Sequence, residues 1–167
     1  DSRLEATRIR LGRAQRRRAG EVLSPHLEVS QRAATTIAAM KILSVNVAAV
    51  HPLLIGGKRV MSAIAKQPKT GPVAYSAMGL AGDEQADPTV HGGLSKAIYA
   101  YPSEHLPFWR TVRAQARVAG WEDEVPHGLM GENLTLSGVL EDDLWVGDQL
   151  RFADGGVLVV SEPRFPC

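Results

Sequence analysis

Glycine and proline set the limits on what this chain can fold into. Most of the 16 glycines and 10 prolines of the sequence lie from residue 40 onward, where they break the chain into short apolar runs. A glycine costs about 1 kcal/mol and a proline about 3 kcal/mol inside a helix, so most of these runs cannot be helical. Lys41-Ile-Leu-Ser-Val-Asn-Val is rich in β-branched residues and reads as a first strand. His51-Pro52 and Gly56-Gly57 mark a loop and a tight turn, followed by a short strand over Arg59–Ile64. Lys66–Gly71, with Pro68 inside, is a further break. Val73 and Tyr75 suggest a third strand, and Ile98–Tyr101 another.

One segment has helical period. Pro102-Ser103-Glu104 supplies a boundary proline, a capping hydroxyl and an acid in the first turn. His105, Trp109, Val112, Ala116 and Ala119 then form one stripe. The spacing predicts an amphipathic helix over 103–119, stopping at Gly120. Strand signals return after Trp121. Gly131–Thr135 leads to a turn at Ser137-Gly138, and Asp142-Asp143 and Gly147-Asp148 punctuate the next segment. Leu150 and Phe152 alternate with Arg151. Asp154-Gly155-Gly156 is a hairpin signal, and Val157–Val160 is apolar enough for burial on both faces. Many short strands, regular turns and one helix predict a mainly β domain, a closed or nearly closed barrel.

Bulk properties narrow the class. A chain of 167 residues is one ordinary domain. No apolar run approaches the roughly 18 residues of a membrane span, and the N-terminus lacks the apolar core of a signal peptide. The single cysteine excludes an internal disulfide, so a cytoplasmic location is expected. Residues 1–39 hold eight arginines against four acidic residues, whereas residues 40–167 hold eleven basic against fourteen acidic. The mildly acidic body does not suit nucleic acid. Residues 1–39 are expected to be a basic, disordered extension, and residues 40–167 the domain, with Met40 a natural start.

The groups that could do chemistry gather in two places. Gly79–Tyr101 sets Asp83, Asp87, His91 and Lys96 among glycines and ahead of an apolar strand. His91, flanked by Gly92-Gly93, can exchange a proton near neutral pH or ligate a metal, or it can be structural. Lys96 can bind an anion as a point charge, or be a solvated surface lysine. Asp83, Asp87 and His91 are spaced four apart, but Pro88 and the glycines argue against the continuous helix that would align them as zinc ligands. Asp83 and Asp87 are therefore expected to shape the loop. The second place is Cys167, reached through Pro163-Arg164-Phe165-Pro166. Arg164 would favour its thiolate; a lone cysteine can equally be an inert small hydrophobe. Glu132 and Asn133 either hold a loop or face a ligand.

Five segments in order resemble a known family. They are Gly79-Leu-Ala-Gly-Asp-Glu-Gln-Ala-Asp; His91-Gly-Gly-Leu-Ser-Lys-Ala-Ile-Tyr-Ala-Tyr-Pro-Ser-Glu-His; Gly131-Glu-Asn-Leu-Thr; Val146-Gly-Asp; and Pro163-Arg-Phe-Pro-Cys. The chain resembles the MOSC domain (molybdenum cofactor sulfurase C-terminal domain) family from Met40 to Cys167, and within it the stand-alone bacterial YiiM-type branch. The resemblance implies a β-barrel-like fold, a molybdenum cofactor (molybdopterin) and reduction of N-hydroxylated compounds, hydroxylaminopurine-type base analogues among them. It implies Cys167 as the molybdenum ligand, with His91 and Arg164 beside it as catalytic residues. It implies Gly92, Gly93, Lys96, Asn133 and Arg164 as cofactor-binding residues, and an electron-donor protein as partner. Pyridoxal phosphate is associated with the family only through desulfurase-fused members. Relatives of this type continue past the cysteine, so a barrel incomplete at its C-terminal end is expected. Two other readings are a sulfur carrier with a persulfide on Cys167, and a non-catalytic cofactor-binding module.

Overall fold

The computed structural model describes residues 8–12, 27–29, 40–90, 92–118, 124–152 and 155–164. β1 (Arg8–Gly12) and β2 (Leu27–Val29) come first, then β3 (Lys41–Val47). β4 (His51–Ile55) and β5 (Lys58–Ser62) follow. Next are three two-residue strands, β6 (Gln67–Pro68), β7 (Tyr75–Ser76) and β8 (Gly79–Leu80). β9 (Ile98–Pro102) runs into a 3₁₀ turn at Ser103–His105 and the helix α1 (Leu106–Gln115). β10 (Leu134–Ser137), a second 3₁₀ turn at Glu141–Asp143, β11 (Gln149–Phe152) and β12 (Val157–Arg164) complete the order.

Eight strands make one sheet in the order β2-β11-β12-β1-β9-β10-β3-β6, while β4–β5 and β7–β8 are separate pairs. Every pairing is antiparallel except that of β9 with β10. The apolar run Ile98–Pro102 is buried throughout, as expected of a strand covered on both faces. Ile98 and Ala100 pack with Leu134, Leu136, Leu150, Leu158 and Val160 to form the core, each large side chain contributing about 1.5–3 kcal/mol. The register slips by one residue at Leu43 on β3 and at Ser161 on β12. Such bulges bend a strand and re-aim its side chains.

Among the described residues the sheet does not close into a barrel. Its outer strands, β2 and β6, are three and two residues long. The described residues are nonetheless mostly sheet with a single α-helix among them, in agreement with the mainly β, MOSC-type expectation. Within residues 1–39, expected to be an extension, β1 and β2 pair with the main sheet; the rest of that segment lies outside the described residues. No helix of the described residues is long and apolar enough to cross a membrane.

Four local expectations need correction. His51-Pro52 is not a loop but the start of β4. Among the described residues that strand pairs only with β5, so the missing N–H of Pro52 can face the other edge. The strand at Val73 and Tyr75 shrinks to β7, directly after the Gly71-Pro72 break. The apolar run of β12 is buried on one face only: Leu158 and Val160 are buried, Val157 and Val159 half-buried. The helix is shorter than 103–119 and stops before Gly120, which lies outside the described residues. Arg117 takes the left-handed conformation, φ 55°. Its N–H reaches Ala114 O at 3.1 Å, and Val118 N reaches Arg113 O at 3.1 Å. These two bonds are the Schellman stop that glycine usually makes. The stripe on α1 faces the protein as expected at His105, Trp109 and Val112, all half-buried, but Ala116 is exposed. Trp109 Nε1 donates to the Tyr101 hydroxyl, and His105 Nε2 lies 2.8 Å from Glu141 Oε2.

Candidate functional site

The site begins at Asn133, one residue before β10. Its main chain bridges two strands: Asn133 N donates to Tyr99 O at 2.7 Å, and Asn46 N to Asn133 O at 2.7 Å. Its side chain does the same. Tyr99 N donates to Asn133 Oδ1 at 3.1 Å, and Asn133 Nδ2 donates to Asn46 O at 3.2 Å and Asp83 Oδ2 at 2.8 Å. This one residue therefore ties β3, β9 and the glycine-rich loop together. Of the two expectations for it, the hydrogen bonds show the loop-holder; Asn133 also lines a cavity.

Asp83 is the second knot. Its Oδ1 accepts from Ala48 N at 3.0 Å and from Lys66 Nζ. Lys66 and Asp83 are buried side by side, with 7% and 6% of their side chains exposed. Asp83 satisfies backbone as expected, but over a distance that its turn setting does not suggest. Lys66 is fixed from both sides. Ala65 before it has φ 58°, a conformation that side chains rarely adopt. Lys66 N donates to Gly128 O at 2.9 Å, and a Cβ on Gly128 would lie 2.2 Å from Lys66 O. Beneath these residues Glu132 is fully buried. Its Oε1 accepts from Gly128 N at 2.6 Å and Thr135 Oγ1 at 2.9 Å, while Oε2 has no hydrogen-bond partner among the described residues.

The loop from Gly92 to Lys96 is held against β12. Lys96 Nζ stands 3.4 Å from Glu162 Oε1, and Ser161 Oγ donates to Ser95 O at 2.6 Å. Gln85 crosses the loop. Gly93 N donates to Gln85 Oε1 at 3.3 Å, and a Cβ on Gly92, φ 109°, would sit 1.7 Å from that oxygen. Glycine suits position 92 through its backbone, since a side chain at φ 109° is strained, whereas the Gln85 amide could move aside. Asp87 shapes its turn, accepting from Thr89 N at 2.9 Å.

These elements enclose a cavity of about 440 Å³, within the usual range for small-molecule sites. Its floor carries Lys66, Asp83 and Asn133. One wall is the edge of β5 and the residues after it, Val60 to Ile64, and another carries Gly92, Lys96 and Ala97. Tyr99 and Arg164 close it. The Arg164 guanidinium lies 4.4 Å above the Tyr99 ring, a cation–π contact. Arg164 Nε is buried and has no hydrogen-bond partner among the described residues. The structure thus brings together four expected site residues, Gly92, Lys96, Asn133 and Arg164. Gly93 adjoins the cavity without lining it, and Lys96 is an ion-pair partner of Glu162 rather than a free cation. His91 and Cys167 lie outside the described residues.

Sequence reasoning missed Lys66, Tyr99 and the β5 edge. Lys66 sits in what reads as a chain break, and Tyr99 in what reads as a plain core strand. The left-handed Ala65 leaves no mark in the sequence, and the need for Gly128 comes from a residue far away along the chain.

The chain is similar to several known proteins. The MOSC domain family matches residues 87–167. The chain is 36% identical over 126 residues to "Uncharacterized protein YflK" of Bacillus subtilis, covering 75% of this chain and 53% of that one. It is 36% identical over 126 residues to a protein of Gibberella moniliformis named "Reductase", covering 75% and 21%. It is 38% identical over 107 residues to "Protein YiiM" of Escherichia coli, covering 64% and 45%. The chain thus spans about half the length of these curated relatives or less. The family's matched span contains the Gly92–Lys96 loop, Asn133 and Arg164, and over that span the chain is similar to the MOSC domain family.

Proposed function

We propose that this protein binds a molybdenum cofactor in the cavity and reduces N-hydroxylated compounds, such as hydroxylaminopurine-type bases, to amines. The observation that carries the reading is the convergence of Gly92, Lys96, Asn133 and Arg164 on one cavity. The MOSC match and a relative named as a reductase support it.

The residues present fit such a group. A pterin cofactor brings a planar heterocycle and a phosphate. Arg164, a fixed guanidinium with an unpartnered buried Nε among the described residues, suits an oxyanion or a ring carbonyl, because its planar fork of donors matches both. Lys96 adds charge at the same opening, shared with Glu162. Gly92 lets the loop backbone come close. The apolar edge of β5 offers a face against which a flat ring can lie. Cys167, as thiolate, is the soft donor that a thiophilic metal takes, and His91 is its proposed neighbour; both roles rest on the sequence motifs. The cofactor, when bound, supplies a two-electron redox centre. A reduced electron-transfer protein is the proposed source of those electrons.

The test is a reductase assay on the full chain supplied with the cofactor, using 6-N-hydroxylaminopurine and a reduced viologen dye. Adenine is the expected product, with molybdenum retained on the protein by elemental analysis. Cys167→Ala is expected to abolish turnover while the fold persists. Full activity in that variant would remove the thiol from the mechanism, and absence of adenine with the cofactor loaded would overturn the reductase reading.

A further inference from the structure

The cavity floor holds an ion pair that the proposed cofactor seat does not use. Lys66 and Asp83 are both more than nine-tenths buried, yet both line the cavity. A buried ion pair is weak support for stability, because the cost of desolvating both charges offsets their attraction. The local backbone is also arranged around it. Ala65 holds a left-handed conformation just before the lysine, and Gly128 lacks a side chain where one would meet Lys66 O. Conformations of this kind persist where the surroundings over-determine them, and they cluster at functional sites. Asp83 is also bound by Ala48 N and Asn133 Nδ2, so the carboxylate cannot swing away. The ammonium has three protons, and the described residues show Asp83 as its hydrogen-bond acceptor.

We propose that Lys66 is the proton donor of this cavity, meeting the hydroxyl oxygen of an N-hydroxylated amine at the floor. This deepens, and rests on, the reductase reading. The net reaction is R–NH–OH + 2 e⁻ + 2 H⁺ → R–NH₂ + H₂O. The N–O bond breaks, and a reduced electron-transfer protein is the source of the two electrons. Lys66 gives one proton to the departing oxygen, which leaves as water. The second proton reaches the nitrogen from solvent, and Lys66 regains its own from solvent. Without a donor at that oxygen, hydroxide would have to leave into a largely apolar cavity.

Two substitutions and two measurements test this. Lys66→Met removes the ammonium at similar length. Lys66→Arg keeps a cation beside Asp83, and so guards against misfolding, but does not release a proton near neutral pH. In the cofactor-loaded full chain both are expected to lower kcat by about 100-fold, with KM changed by less than about threefold. The second measurement is calorimetric binding of 6-N-hydroxylaminopurine against adenine. The unaltered protein is expected to favour the hydroxylated base by roughly tenfold, Lys66→Arg to keep that preference, and Lys66→Met to lose it. If the unaltered protein reduces nothing but its preference depends on Lys66, the reductase reading falls and the placement of Lys66 at the ligand oxygen stands. Unaltered kcat in Lys66→Arg overturns the donor role while leaving the reductase reading in place. A preference that survives in Lys66→Met, or no binding of either base, overturns the placement.

Discussion

Gly128 has no side chain because Lys66 leaves no room for one. A methyl group there would lie 2.2 Å from a carbonyl oxygen of the backbone, in a conformation with φ 85°. Gly128→Ala is therefore expected to destabilise the protein by about 2–3 kcal/mol, read from the urea midpoint at unchanged slope; a loss below about 0.5 kcal/mol would show that the 126–131 loop yields freely. The same logic explains what the sequence can reveal at this scale. Residues of unusual type announce themselves: Gly92 beside His91, Arg164 near a lone cysteine, Asn133 between Glu132 and a strand. Lys66 does not, because a lysine is ordinary wherever it occurs. Its meaning comes from Asp83, 17 positions on, and from Gly128, neither of which marks it locally.

At the scale of elements, sequence periodicity is reliable where one residue type decides the outcome, and fails where tertiary context decides. Ile98–Tyr101 is a short apolar run bounded by Pro102, which reads as a strand, and the strand Ile98–Pro102 is buried throughout. The Gly56-Gly57 turn joins β4 to β5 because both glycines sit at positive φ, 56° and 78°, as a two-residue hairpin turn requires. By contrast Pro52 lies inside a strand, a placement that depends on the edge of β4 away from β5. The helix stop at Arg117 is the clearest miss, since no residue there signals it. Arginine at that left-handed position bears a steric penalty that glycine does not. Arg117→Gly is accordingly expected to stabilise the protein by about 0.5–1 kcal/mol, raising its thermal midpoint. A lower midpoint would mean that the arginine side chain does more for the helix end than its backbone costs.

For the whole molecule, the order of the sheet decides where rigidity lies. β9 is flanked by β1 and β10, and β10 by β9 and β3, so both strands have neighbours on each side and feed the core. The β4–β5 hairpin stands apart from that sheet, with Leu54 81% and Ile55 60% exposed. Amide hydrogen exchange is expected to be slowest in β9 and β10 and to be fast, without global unfolding, in β4 and β5. Equal protection of the hairpin and the central strands would show that the β5 wall is as firm as the floor. This contrast is only partly legible in the sequence: alternation identifies strands, but not which ones pair, because pairing depends on residues far apart along the chain.

That separation has a consequence in time. The cavity takes Val60 from one end of the described domain and Arg164 from the other, with about a hundred residues of synthesis between them. At ordinary translation speed, roughly 5–20 residues per second, the β5 wall leaves the ribosome about 5–20 seconds before the guanidinium that closes the site. A nascent chain therefore has no complete seat for a ligand, however early its first strands pair. For the proposed ligand, capture is therefore expected to be a late event that needs a chain made through Arg164.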